Sequence, residues 1–325
     1  MSRRVVAPLV VMLLAGPAAA PAGATQPGRN GALAWTRVVG QQPPDVWVSN
    51  PDGTAARRVL SATRNVEAEA AWSPVAPTQL AFIRETPSQR QEVWVGDVAT
   101  GAIRRVTRHR TFTFAPSYSP DGARIAYDTD VDFAPARSEN DPQPPSEIYV
   151  INADGTGARR LTRDRLVSID PEFSPDGTRI VFGEARESSG GTIENRIAIM
   201  NADGTGRRAL TRFGSFRAVN PEWMPDGRQI VFERIRDARP YSDIEIMNAD
   251  GTGIRPLLAT PAYETNPVPS PDGTRIVFTT DRDRPGRTRL GSGFEVYTMA
   301  LDGTGLTRLT NNRSPDFFPD WQRLP

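Results

Sequence analysis

SPDGTRIVF, Ser174–Phe182, returns letter for letter at Ser270–Phe278. A second phrase, NADGTG, begins at Asn152, Asn201 and Asn248. A phrase repeated verbatim is either a working site used more than once or a structural part. The Asp-Gly pair invites a metal or phosphate reading. The apolar run behind it invites a turn followed by a strand.

The second reading accounts for every position. Proline at the second place of Ser174-Pro175-Asp176-Gly177 suits its fixed φ, and glycine at the last supplies positive φ. Ile180-Val181-Phe182 is continuously apolar, as expected of a strand buried on both faces. Looser copies end near Phe82, Tyr127 and Phe232. The NADGTG phrase follows an alternating stretch, such as Ile148 and Val150, and precedes a short strand such as Arg159–Thr162. Its glycine recurs at Gly53, Gly101, Gly155, Gly204, Gly251 and Gly303, at spacings of 48, 54, 49, 47 and 52 residues. Each unit therefore predicts four short antiparallel strands and two tight Asp-Gly turns, the pattern of a β-propeller blade.

Two fragments set the number of units. Phe318-Pro319-Asp320-Trp321 is the start of the first motif with nothing after it. Asn30-Gly31-Ala32-Leu33-Ala34-Trp35 is its end with nothing before it. Joined, they make one blade, so the expected fold is all-β: a six-bladed propeller, residues 30–325, closed by pairing of the N- and C-terminal segments. Closure also removes the exposed sheet edges of an open stack.

Residues 1–24 are of another kind. Ser2-Arg3-Arg4 is positive, Val5–Leu14 is apolar apart from a proline, and Ala22-Gly23-Ala24 is small throughout. This is the layout of a secretory signal peptide, cleaved after Ala24, with 25–29 as a short linker. The apolar run is too short to span a bilayer. The arginine pair does not complete a twin-arginine motif, so general secretory export to the periplasm or medium is expected. Cleavage removes two arginines and no acid, turning the net charge from +1 to −1. That balance gives no argument for nucleic acid, no other segment could cross a membrane, and a monomer is expected.

Composition excludes much chemistry. There is no cysteine, no lysine and a single histidine, His109. Disulfides, thiolate zinc sites and a Walker lysine are ruled out, and one histidine without a positioned serine makes no triad. There is no G-x-S-x-G elbow and no strand-led G-x-G-x-x-G.

Up-and-down strands put both Asp-Gly turns of every blade on one face. The opposite face carries loops that vary: Tyr127–Glu147 is long and acidic, Phe232–Asp243 carries Arg234, Arg236, Arg239 and Tyr241, and Phe278–Glu295 carries Arg282, Arg284, Arg287 and Arg289. Binding is expected on that variable face, at the mouth of the central channel. Alignment of the units puts Glu69, Ala115, Asp170, Asn220, Asn266 and Phe318 at one level of the innermost strands. Ala71, Ser117, Glu172, Glu222, Val268 and Asp320 follow two places on. Glu69, Asp170, Glu172, Glu222 and Asp320 would ring the funnel with negative charge and attract a cation or a basic segment of a partner. The plainer role is to cap strand ends and pair with arginines.

Asp128, Asp130 and Asp132, with Glu139 at the twelfth place, are spaced like a calcium loop, but Phe133 stands where that loop needs glycine. A solvated acidic loop is the plainer reading, and no other cofactor is expected. His109, before Phe112 and Phe114, could contribute to a surface. The pairs Arg57-Arg58, Arg104-Arg105, Arg159-Arg160 and Arg207-Arg208 lie on different blades. They read as charged outer edges that resist aggregation.

The alternating phrases, as in Asp170–Phe182 and Ile148–Gly157 with Arg159–Thr162, resemble the propeller repeats of the TolB family over about Asn30–Trp321. That resemblance implies a six-bladed propeller outside the cytoplasm whose channel mouth receives a protein partner, in that family a peptidoglycan-associated lipoprotein. The repeats begin directly after the leader, so the family's N-terminal α/β domain is not expected here. Similar repeats occur in prolyl-oligopeptidase propellers, whose hydrolase domain this sequence does not show. They also occur in oligogalacturonate lyases, whose histidine-rich metal site one histidine cannot make. The expected function is therefore non-catalytic binding of a protein or peptide. The alternative is a carbohydrate-active or other carboxylate-dependent enzyme using the acidic funnel.

Overall fold

A computed structural model describes residues 28–324, except 41, 61–64, 87, 89, 110–111, 131–145, 237–240, 284–292 and 313. The expected leader, 1–24, lies outside the described residues. All regular structure among the described residues is β, arranged as six four-stranded antiparallel sheets. Blade four shows the plan: Val167–Phe173, Arg179–Glu187, Ile193–Asn201 and Arg208–Ala209 pair in chain order from the axis outward. Blade one is the composite. Its first strand, Asp316–Leu324, pairs with Arg29–Arg37 in the register Leu33↔Trp321, Ala34↔Asp320 and Thr36↔Phe317. Gly28 already belongs to the ring, its N–H donating to the Pro271 carbonyl of blade six.

The doubly buried strand divides its side chains between two cores. Ile180 and Phe182 pack with Ala126, Ile148 and Val150 of blade three. Val181 packs with Trp223, Ile230 and Phe232 of blade five. All three are fully buried, which is why the run does not alternate. Further clusters join the other neighbours, and Leu33, Trp35 and Trp321 of blade one meet Val277 and Val296 of blade six to close the circle.

Each letter of the repeated phrases has a mechanical task. The Gly177 N–H donates to the Ser174 carbonyl (2.7 Å), and Gly177 has φ of 68°. Asp176 accepts from the Ser174 hydroxyl (2.6 Å), the Thr178 N–H (3.0 Å) and the Thr178 hydroxyl (2.8 Å). Burial pushes this carboxyl up, but those donors outweigh it and hold it below the ordinary range. In the second phrase the Gly251 turn, at φ 93°, lies against the preceding blade: a Cβ there would sit 2.6 Å from the Leu210 carbonyl oxygen. The metal or phosphate reading is thereby displaced, because the Asp-Gly carboxylates are consumed by their own turns.

One arginine of each pair, Arg58, Arg105, Arg160 and Arg207, makes an ion pair within its own blade. Glu147, at the start of a third strand, accepts from Arg160 (2.7 Å) and from the Thr162 hydroxyl, while Thr162 Oγ1 accepts the Ile148 N–H (2.9 Å). Glu92–Arg105–Thr107 and Glu295–Arg308–Thr310 repeat the arrangement.

Candidate functional site

Glu69, Ala115, Asp170, Asn220, Asn266 and Phe318, the residues aligned from the sequence, are one per blade and all have positive φ, between 47 and 53°. None is glycine, so each costs on the order of 1 kcal/mol. A β-bulge sits at each place; in blade four the register shifts between Ile169 and Glu172. Five of the six are followed by proline (Pro116, Pro171, Pro221, Pro267 and Pro319), which is tolerated because the innermost strand is an edge and needs no N–H there.

The eight candidate residues converge. Glu69, Asp170, Glu172, Asn220, Glu222, Asn266, Phe318 and Asp320 all line one axial cavity of about 300 Å³. Its position differs from the expectation. The wall continues to Pro120, Pro175, Pro225 and Pro271 of the Asp-Gly turns, and to Pro74 of the corresponding turn in blade two, and takes in no residue before the bulges. Glu172, Glu222 and Asp320 therefore lie on the turn side of the strained ring that holds Glu69 and Asp170, not at the variable mouth. The reason is directional: each first strand begins at the variable face, so residues after the bulge run toward the turns.

Backbone capping accounts for some of these carboxyls. Glu69 accepts the Ala115 N–H of the next blade (2.7 Å), and Asp320 accepts the Trp72 N–H (2.6 Å). Asp128, from a second strand, accepts the Asp170 N–H (3.3 Å), and Ser117 accepts the Phe173 N–H (3.4 Å). Asn220 donates to Glu233 (2.8 Å), which also accepts from Thr265 (2.6 Å). At the level of Trp72, blade six has Pro269, so Glu222 meets no equivalent N–H from its neighbour.

Burial dominates the electrostatics. It pushes Glu69 up to about 7, against the Ala115 hydrogen bond, with Asp170 adding to the rise. Asp170 rises to about 7 through burial and the charges of Asp128 and Glu233. Glu172 rises to about 8 through burial, which outweighs the Ser117 hydrogen bond and is helped by Asp320. Asp320 reaches about 7 by burial, and Glu222 is pushed well up by burial and then by Glu172, Asp320 and Asp170. Each rise favours the protonated carboxyl and so weakens the negative charge expected of the ring. Such a wall can both donate and accept hydrogen bonds.

The remaining candidates fall elsewhere. Asp128 is buried and accepts from Ser146 (2.7 Å), and Asp130 accepts the Phe112 N–H (3.0 Å). Asp132 and Glu139 lie outside the described residues, and among the described residues no cluster of three metal-ligating side chains forms. His109 is half-buried against Tyr127 and Tyr149, with Nε2 2.8 Å from the Tyr127 hydroxyl. Arg234, Arg236 and Arg282 on the variable face are paired with Glu245, Asp243 and Glu264. The positions 239, 284, 287 and 289 lie outside the described residues. Sequence reasoning missed that the second-strand acids Asp128 and Glu233 stand behind the ring, accepting from the Asp170 N–H and the Asn220 side chain. It also missed the glutamate–arginine–threonine ties, whose signal is an acid followed by arginine 13 and threonine 15 residues later.

A six-bladed propeller with a carboxyl-lined axial cavity is the class that fold and site define. Residues 36–238 match the model of the TolB β-propeller domain, and the chain belongs to that family. The Tol-Pal system protein TolB of Anaeromyxobacter sp. (strain K) is 33% identical over 115 residues, covering 35% of this chain and 23% of that protein. The protein TolB homolog of Chlorobium luteolum is 31% identical over 116 residues, covering 26% of this chain and 27% of that one. The matches thus span about a quarter of these relatives' length. Among solved structures, TolB from Acinetobacter baumannii superposes with a TM-score of 0.71 at 21% identity, over 90% of this chain and 66% of that one, a likeness of fold. No helix among the described residues is long and apolar enough to cross a membrane.

Proposed function

We propose that the chain is exported, with residues 1–24 as its cleaved leader, and that its propeller is a non-catalytic monomer. In this reading it binds a polypeptide partner, a segment of which enters the axial cavity. The observation that carries this is convergence. Six strained positions, one per blade, share a backbone conformation but not their chemistry, and all six line one cavity. Backbone strain persists where the surroundings over-determine it, and a shared strained ring around a cavity is a mark of function. Protonated carboxyls there can accommodate backbone carbonyls, and ionised ones a basic side chain. Membership of a family whose named relatives are Tol-Pal system proteins supports a protein partner.

The test places a photo-crosslinking side chain at Asn220 in the cavity or at Thr178 on the outer turn. Polypeptide adducts are expected from Asn220 alone. They should disappear when Asp170→Asn, Glu172→Gln and Glu222→Gln are combined. Equal adducts from both positions would defeat the proposal.

One observation favours a second reading. Carboxyls held near neutrality are the groups that perform general acid–base chemistry. A carboxylate-dependent hydrolase or lyase would cleave polysaccharide, and the same triple variant would not.

A further inference from the structure

We propose that the variable face carries an aromatic track that docks an apolar segment of a polypeptide partner and leads a neighbouring basic side chain into the axial cavity. This rests on the reading of the cavity as a polypeptide site.

Tyr241, Tyr263, Phe294, Phe317 and Phe318 form an unbroken line of ring contacts, with centroids 6.3, 6.2, 5.1 and 6.2 Å apart. They come from three blades. Tyr241 opens the third strand of blade five, Tyr263 precedes the first strand of blade six, and Phe294 precedes its third strand. Phe317 and Phe318 lie on the first strand of blade one. Strands of these two kinds meet the variable face at their first residues, so the line crosses that face toward the axis. Its inner end is Phe318, 39% exposed, which also lines the cavity.

The blade fold does not require these rings. At the level of Phe317 the other blades carry Ala68, Phe114, Ile169, Val219 and Thr265. Partly buried aromatics in a contiguous row that ends on an exposed ring, with no packing duty common to the repeats, are what protein interfaces use as anchors. Successive rings are inclined by 69, 51, 43 and 46°. The strip is therefore notched, which suits apolar side chains and not a flat sugar ring. Charges beside it are engaged: Arg236 with Asp243, Arg282 with Glu264, and Asp281 with the Tyr263 N–H. Among the described residues the track is accordingly neutral, while its inner end, Phe318, shares the lining of the cavity with Glu172, Glu222 and Asp320. Complementarity then calls for an apolar segment with an arginine or lysine at one end.

The probe is a phage-displayed library of linear peptides of about twelve residues, selected on the mature chain near neutral pH. Enriched peptides should carry two or more apolar residues beside a basic one. For a synthetic copy of the leading peptide, Tyr241→Ser with Phe294→Ser should weaken binding about tenfold or more. Phe112→Ser, an exposed ring outside the track, should leave it unchanged. Thermal melts check folding, and Tyr241→Ser alone, at the rim, carries the test if the pair unfolds. Unchanged affinity in the track variants, or enriched peptides without an apolar run, overturns the proposal. Binding kept in those variants but lost in the Asp170, Glu172 and Glu222 triple variant overturns the track and leaves the cavity reading standing. Binding lost in the track variants but untouched by the triple variant overturns the cavity reading, and with it the guided basic residue.

Discussion

Carboxylates of the same chemical type live under opposite rules in the outer turns and in the axial ring. Asp154, Asp203, Asp250 and Asp302 stand in water, and donors two residues along hold each below the ordinary range. Glu69, Asp170, Glu172 and Asp320 lie in the cavity, and burial lifts each to about 7 or 8. The turn carboxylates are satisfied locally by their own backbone, so evolution can copy them from blade to blade. Those of the ring are satisfied across blades, and imperfectly, so no two need be alike. Repetition marks what the fold demands; its absence marks where something else constrains the residue.

The largest effect should come from forcing a side chain into a turn. Gly251→Ala meets both positive φ and the Leu210 carbonyl at 2.6 Å, and should cost about 2–3 kcal/mol in denaturant unfolding. Binding by the surviving folded protein should be unchanged. If it is lost, turns and ring are not separable.

Acid should separate the two regions by sign. Glu172 holds a folded pKa of about 8 against 4.5 ordinarily, so across that interval the folded chain keeps a proton that the unfolded chain releases. Its contribution therefore falls as pH rises from about 4.5 to 8. Asp176 is shifted the other way: its contribution is present above the unfolded pKa and lost as pH falls through the folded one. Stability measured from pH 5 to 8 should decline, and Glu172→Gln with Glu222→Gln should flatten that slope and raise stability at pH 8 by about 1–2 kcal/mol. A slope that the variant does not alter would mean the ring is hydrated and ordinary.

A smaller effect sharpens the same contrast. Asp176→Asn keeps the shape of the turn but weakens three accepted hydrogen bonds, and should cost about 1 kcal/mol by thermal melting with ligand affinity unaltered.

Much of this was legible because repeated local rules were enough. SPDGTRIVF states a turn and a doubly buried strand, and the split motif at the two ends of the chain states closure. The alignment also found the six strained residues, since a recurring proline marks the place after five of them. The side of the ring on which the cavity's wall lies was not legible. It depends on a bulge that redirects the residues after it, and no single strand announces a bulge. The support that Asp128 and Glu233 give the ring was hidden for a related reason: they come from second strands and meet it through hydrogen bonds that no repeat announces. The aromatic track was hidden because its members lie far apart in sequence, from Tyr241 to Phe318, and belong to no repeat.

The central claim is that the repeated turn is structural and the unrepeated ring is the site. The most direct measurement compares the affinity of one selected peptide for the Asp176→Asn protein and for the Asp170→Asn, Glu172→Gln, Glu222→Gln protein, with melting curves for both. The account predicts wild-type affinity and a lower melting temperature for the first, and lost binding with an undiminished melting temperature for the second. Lost binding in the first with wild-type affinity in the second would contradict it.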